Sequence, residues 1–137
     1  MAEKKNVGFL KFVLAVFAVV SMVYGICYFF VPDFLVKLSG EVPVYHGWLR
    51  WSGGSLIALG IGSILVFNKP KYQGIFVNIL ALGCLLNAIA LVWAWIGAVE
   101  GTNTWFTILP AIITLVLAVL LFWSGQLAKD ILYPKGE

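Results

Sequence analysis

Four long apolar stretches, residues 12–31, 48–67, 74–99 and 104–123, alternate with short polar ones along the chain. The first ends at Pro32, which cannot continue a helical hydrogen-bond ladder and biases its predecessor out of helix. Asn68, Lys69, Pro70 and Lys71 close the second, Glu100, Gly101, Thr102 and Asn103 the third, and the fourth runs out into Ser124 and Gly125. None of the stretches alternates with a period of two, so a barrel is excluded. Lipid offers the backbone no partners, which leaves the helix as the spanning form. A crossing of ~30 Å at ~1.5 Å per residue takes ~20 residues, and each stretch suffices. The pattern predicts helices over about 9–31, 47–67, 73–99 and 104–125. The expected fold is all-α, an integral membrane four-helix bundle forming a single transmembrane domain. Its longest helix, the third, should tilt or protrude.

Composition sharpens this picture. With 62% hydrophobic and 11% charged residues in 137, and a mean hydropathy of +1.01, a soluble enzyme is excluded. The net charge of +3 would point to nucleic acid in a soluble protein; here the basic residues follow topology instead, and no nucleic-acid partner is expected. Lys4, Lys5, Lys11, Lys69, Lys71, Lys129 and Lys135 flank one set of helix ends, and only Lys37 and Arg50 flank the other. Seven against two predicts that both termini are cytoplasmic, N-in and C-in, as in a multi-pass protein of a bacterial inner membrane. Trp48, Trp51, Trp93, Trp95 and Trp105 gather near the outer boundary and Trp123 near the inner one, as interfacial anchoring requires. The first stretch follows a basic start without a small-residue cleavage site, and reads as a retained helix. Between it and the second, Asp33 can cap a short interfacial turn carrying Phe34, Leu35 and Leu38, ended by Ser39 and Gly40, which acts as a lid or as a plain connection.

Polar side chains within the spans carry the candidate chemistry, because each needs a partner or water. Ser21, Tyr24, Gly25 and Tyr28 share one face of the first helix, and Arg50, Ser52 and Ser55 open the second. Asn87 lies thirteen residues beyond Gly74, ~20 Å up the third helix. Asn103, Thr107, Pro110 and Thr114 form a stripe on the fourth, where Pro110 also frees the carbonyl of Phe106. All belong to the outer halves. If they converge they line an outward-open pocket, rimmed by Arg50, His46, Asp33, Glu41 and Glu100, with ligand contacts at Arg50, His46, Asn87, Tyr24, Tyr28, Glu100 and Thr107. Arg50 requires Glu100, Asp33 or an anionic head group, or else snorkels to phosphates. Against the pocket stands a purely structural role for the hydroxyls, which often bond back to their own helix. Asn87, sharing a face with Gly83, Ala90 and Ala94, should meet another helix or a ligand. Asn78 reads as an interface or capping residue.

Arg50, Gly54, Ala58 and Gly62 at four-residue steps, with Gly53 and Gly60 alongside, make the second helix the expected centre of the bundle. Ala90, Ala94 and Ala98 form a second ridge that could seal the bundle or a homodimer. Cys27 and Cys84 lack any paired motif and read as small apolar residues. One histidine and no acidic residue deep in the spans leave no haem or metal ligand set and no buried proton-coupling carboxylate, so no cofactor is expected. His46 lacks a nucleophile at a fixed spacing, and no catalytic residue is assigned.

Phe29, Phe30, Val31 and Pro32, then Leu49, Arg50, Trp51, Ser52, Gly53 and Gly54, and on to Gly60, resemble the small bacterial DoxX-like four-helix membrane proteins, in layout over roughly residues 12–125. The resemblance implies, at most, association with other redox or membrane components. Arg50 stands where the DoxX-like pattern has an acidic residue ahead of the glycine pair, so that position is not carried over. The expected function is a non-enzymatic scaffold or accessory subunit, with an outer-leaflet pocket for a lipid or amphipath and packing against a copy of itself or a larger complex. Two alternatives remain. One is an oligomeric transporter or channel using Asn87 and Thr114, and the other an outer-surface enzyme using His46, Arg50 and Glu100.

Overall fold

The computed structural model describes residues 2–40, 47–98 and 103–134. Its helices are α1 (Ala2–Phe30), α2 (Pro32–Ser39), α3 (Gly47–Asn68), α4 (Gly74–Ile96), α5 (Trp105–Leu127) and α6 (Lys129–Leu132). Four of them, α1, α3, α4 and α5, are long and apolar enough to cross a membrane. Compared with the expected bounds, α1 begins seven residues earlier, since alanine, glutamate and lysine are good helix formers that extend it beyond the apolar run. Conversely, α4 stops at Ile96, where the Gly97 amide donates to the carbonyls of Trp93 and Trp95. Among the described residues the short α6 is the one helix the apolar pattern did not predict.

The spanning helices form two antiparallel pairs, α1 with α3 and α4 with α5, joined through α1 and α5. The inner positions therefore belong to α1 and α5, not to the glycine-rich α3 that the sequence pointed to. Small residues explain the close α1–α3 pairing, but in a register shifted from the expected one. A Cβ at Gly53 would lie 2.6 Å from the Phe29 amide nitrogen and 2.7 Å from the Gly25 carbonyl oxygen, and one at Gly25 would lie 3.0 Å from the Gly53 carbonyl oxygen. The two backbones touch there. Gly60 faces Ala18 and Met22 further along, whereas Gly54 has only ordinary contact with the Phe29 ring and Ala58 is exposed. Below Gly60 the Ser63 hydroxyl donates to the Leu14 carbonyl across the pair at 2.9 Å.

Antiparallel packing puts Lys5, Lys11, Lys69, Lys71 and Lys129 at one end of the bundle and Trp48, Trp51, Trp93, Trp95 and Trp105 at the other. These are called the basic end and the tryptophan end below. All five tryptophans are exposed, as expected of rings meant for the membrane boundary. The large buried side chains concentrate toward the basic end: Leu10, Val13, Leu14 and Phe17 from α1, Val66 from α3, Val77 and Leu80 from α4, Leu117 and Leu121 from α5. Two contacts fasten α1 to α5 at that end. Asn6 donates through Nδ2 to the Leu127 carbonyl at 3.0 Å, and the Phe9 and Trp123 rings meet edge to face at 6.1 Å.

The C-terminal segment adds a clamp. Leu132 and Ala128 are buried, the Tyr72 amide donates to the Ile131 carbonyl, and the Tyr133 ring covers Gly74, where a Cβ would fall 2.1 Å from the ring. The Tyr133 hydroxyl accepts from Asn78 Nδ2 at 2.8 Å, so Asn78 is indeed an interface residue.

Candidate functional site

Toward the tryptophan end the two helix pairs part. On α4, positions 76, 80, 83, 87, 90, 94 and 97 step by four and three residues and so follow one flank. At the basic end that flank meets α3: the Phe76 ring lies against Gly62, and Leu80 is buried. Further up, a Cβ at Gly83 would meet nothing within 4 Å, and Asn87, Ala90, Ala94 and Gly97 are exposed. The opposing stripe of α3 behaves alike, with Ala58, Ser55 and Trp51 exposed. The bundle is thus closed on three edges, α3–α1, α1–α5 and α5–α4, and open on the fourth above Gly62 and Phe76.

Behind that opening lie α1 and α5. The α1 flank that carries Asn6, bonded to α5, and the buried Val13 and Phe17 continues through Val20 to Tyr24, Cys27 and Tyr28, all half-buried. Tyr24 and Tyr28 stack edge to face at 5.9 Å. Neither phenol hydroxyl has a hydrogen-bond partner among the described residues. Ser21, one turn below Tyr24 and buried, has none either. On α5, Thr107, Pro110 and Thr114 continue the interior stripe of Leu117 and Leu121.

Their hydroxyls serve local ends. Thr107 donates to the Thr104 carbonyl at 2.8 Å, Thr114 to the carbonyls of Pro110 and Ala111, Ser52 to Trp48, and Ser55 to Trp51. Such back-bonding satisfies the proton and leaves the oxygen lone pairs as acceptors. Thr107 also borders a shallow apolar depression of about 200 Å³ between α4 and α5, with Leu91, Trp95 and Ala111.

Other expected site residues fall differently. Arg50 is exposed at the tryptophan end and makes no ion pair or hydrogen bond among the described residues, so Asp33 is not its partner. Asn87 makes no hydrogen bond to another helix among the described residues. It is exposed, and its amide has no partner among the described residues, because α3 has drawn away from that flank by its level. His46, Glu41 and Glu100 lie outside the described residues. Among the described residues no three histidine, cysteine or acidic side chains gather as a metal site.

The interfacial segment is a helix, with one correction. Asp33 sits in its first turn rather than capping it: Val31 holds the cap position, and Pro32, lacking an N–H, begins the helix. Gly40, at φ 74°, ends it, its amide donating to Lys37. Phe34 and Leu38 are exposed, while Pro32, Val36 and Ser39 are buried. The Asn103 amide donates to the Ser39 carbonyl at 2.7 Å, so α2 runs from the top of α1 to the start of α5 as a strap. Sequence reasoning missed the Gly25–Gly53 crossing, the Ser63–Leu14 bond and the Tyr133 clamp. Only the apolar triplet Ile131, Leu132 and Tyr133 after a polar turn hinted at the last.

No family model matches this chain, and comparison with curated proteins and with solved structures likewise returns no match.

Proposed function

We propose that this chain is a non-enzymatic membrane scaffold or accessory subunit that holds a membrane lipid or another amphipath between its helix pairs at the tryptophan end. The observation that carries this reading is the uneven packing: large aliphatic side chains fill the bundle toward the basic end, while α3 and α4 separate above Gly62 and Phe76. An acyl chain can enter sideways through such an edge, and the hydroxyls of Tyr24 and Tyr28, without a hydrogen-bond partner among the described residues, give a polar head or linkage something to bind. Arg50 serves an anionic head group at the rim. The lysine distribution supports placing the basic end, with both termini, in the cytoplasm, and the tryptophan end in the outer leaflet of a bacterial inner membrane. An accessory role also suits the DoxX-like layout.

Native mass spectrometry on protein released from its own membrane tests the proposal. A bound amphipath should survive the collision energy that strips surface lipid, and Tyr24→Phe with Tyr28→Phe should reduce its retention. Arg50→Ala should weaken retention of anionic species. Bare protein in every mild detergent, or retention indifferent to these changes, contradicts it.

A further inference from the structure

One cation at the basic end is held differently from the rest. Lys5, Lys11, Lys69, Lys71 and Lys129 lie there, and none pairs with a carboxylate among the described residues. Of these five only Lys11 is half-buried. Its ammonium reaches from α1 to α3 and lies over the Phe67 ring, 5.2 Å from the centroid. Orientation in a membrane needs cations at this end, but not one anchored on a neighbouring helix. The ring face restrains the stem and leaves ammonium donors free for an anion.

The two helices also give Lys11 an apolar neighbourhood. On α1, Met22 and Ala18 lie against Gly60, and the same stripe continues through Ala15 to Lys11. On α3, Ile57 lies against Gly25, and its stripe continues through Ile61 and Ile64 to Asn68. Both stripes run toward the basic end, where Ala15, Ile61, Ile64 and Asn68 are exposed. An alanine beside two isoleucines makes a furrow. It ends at Lys11, at the Asn68 carboxamide, which has no hydrogen-bond partner among the described residues, and at the exposed Lys69.

We propose that this furrow binds one anionic phospholipid of the leaflet at the basic end, with its phosphate at Lys11 and Lys69 and an acyl chain along Ala15, Ile61 and Ile64. Charge decides the occupant: cations without carboxylate partners at a membrane surface attract anionic lipid. The Asn68 amide can donate to a phosphate or glycerol oxygen. The apolar furrow beside the cations favours a phosphate that carries hydrocarbon over the free ion. This site is independent of the amphipath proposed at the tryptophan end.

Native mass spectrometry of the full chain in mild detergent, titrated with phosphatidylglycerol or phosphatidylcholine of the same acyl chains, tests the site. The first phosphatidylglycerol should bind roughly fivefold or more tighter than the first phosphatidylcholine, as expected for one or more lysines at the phosphate. Lys11→Gln should remove most of that preference and Lys11→Arg should keep it. Ala15→Trp fills the furrow without changing the charge, and should lower phosphatidylglycerol binding. Lys5→Gln and Lys129→Gln each remove the same charge elsewhere at this end, and should change it little. Every substituted position is exposed or half-buried, so helical circular dichroism should stay as in the parent. Equal affinity for the two lipids overturns the inference. So do equal losses on changing Lys5, Lys11 and Lys129, which would mean that only the summed charge acts, and so does displacement of the lipid by an excess of inorganic phosphate. Tyr24→Phe with Tyr28→Phe should leave the phosphatidylglycerol preference intact, which separates failure here from failure of the proposed function.

Discussion

A methyl group on Gly53 would sit 2.6 Å from one backbone atom of α1 and 2.7 Å from another, and backbone cannot rotate aside as a side chain can. Gly53→Ala should therefore cost about 1–3 kcal/mol of stability, the usual range for forcing extra volume into a packed site. Ala58→Leu, exposed on the same helix, should stay within about 0.5 kcal/mol. Thermal or denaturant unfolding in matched micelles checks both. Ser63→Ala removes the buried bond to Leu14 and should cost about 1 kcal/mol. Four-residue steps of small residues were legible in the sequence, yet they pointed to Gly54 and Ala58. The glycine content of α3 could be read, but not which of several overlapping small-residue ridges would meet α1. That choice depends on the crossing geometry, set jointly by Gly25 and Gly53 on two helices.

At the scale of elements, the four spans and their antiparallel order follow from hydrophobicity and backbone satisfaction alone, which is why they were readable; the start of α1 and the end of α4 were not, because helix propensity and a glycine stop set them. Tertiary partners were not, since an apolar helix carries apolar residues on every side and periodicity no longer marks the face turned inward. Asn87 illustrates the difficulty: polarity and small neighbours indicated a contact face, but not whether the contact lies within the chain. The C-terminal clamp depends on one aromatic ring over one glycine. Gly74→Ala should displace Tyr133 and free Asn78, and amide hydrogen exchange of residues 128–134 should then accelerate while that of α5 changes little. Unchanged exchange would mean that the ring contact does not hold the segment. The strap α2 is tied to α5 by the Ser39–Asn103 bond, with its exposed Phe34 and Leu38 suited to the membrane interface.

Across the whole molecule, a filled aliphatic half at the basic end contrasts with a looser half at the tryptophan end, where Tyr24, Tyr28 and Asn87 have no hydrogen-bond partner among the described residues. Leu121→Ala, in the filled half and fully buried, should cost about 2–5 kcal/mol, whereas Leu109→Ala, exposed on the same helix, should cost far less. The two native cysteines report on the contrast without any substitution. Cys27 is half-buried beside Tyr24 and Tyr28, and Cys84 is buried within the aliphatic cluster. A charged, water-borne thiol reagent added to membrane vesicles, with each site followed by peptide mass spectrometry, should modify Cys27 at least roughly tenfold faster than Cys84. Equal protection of both thiols, or faster reaction at Cys84, would contradict the account.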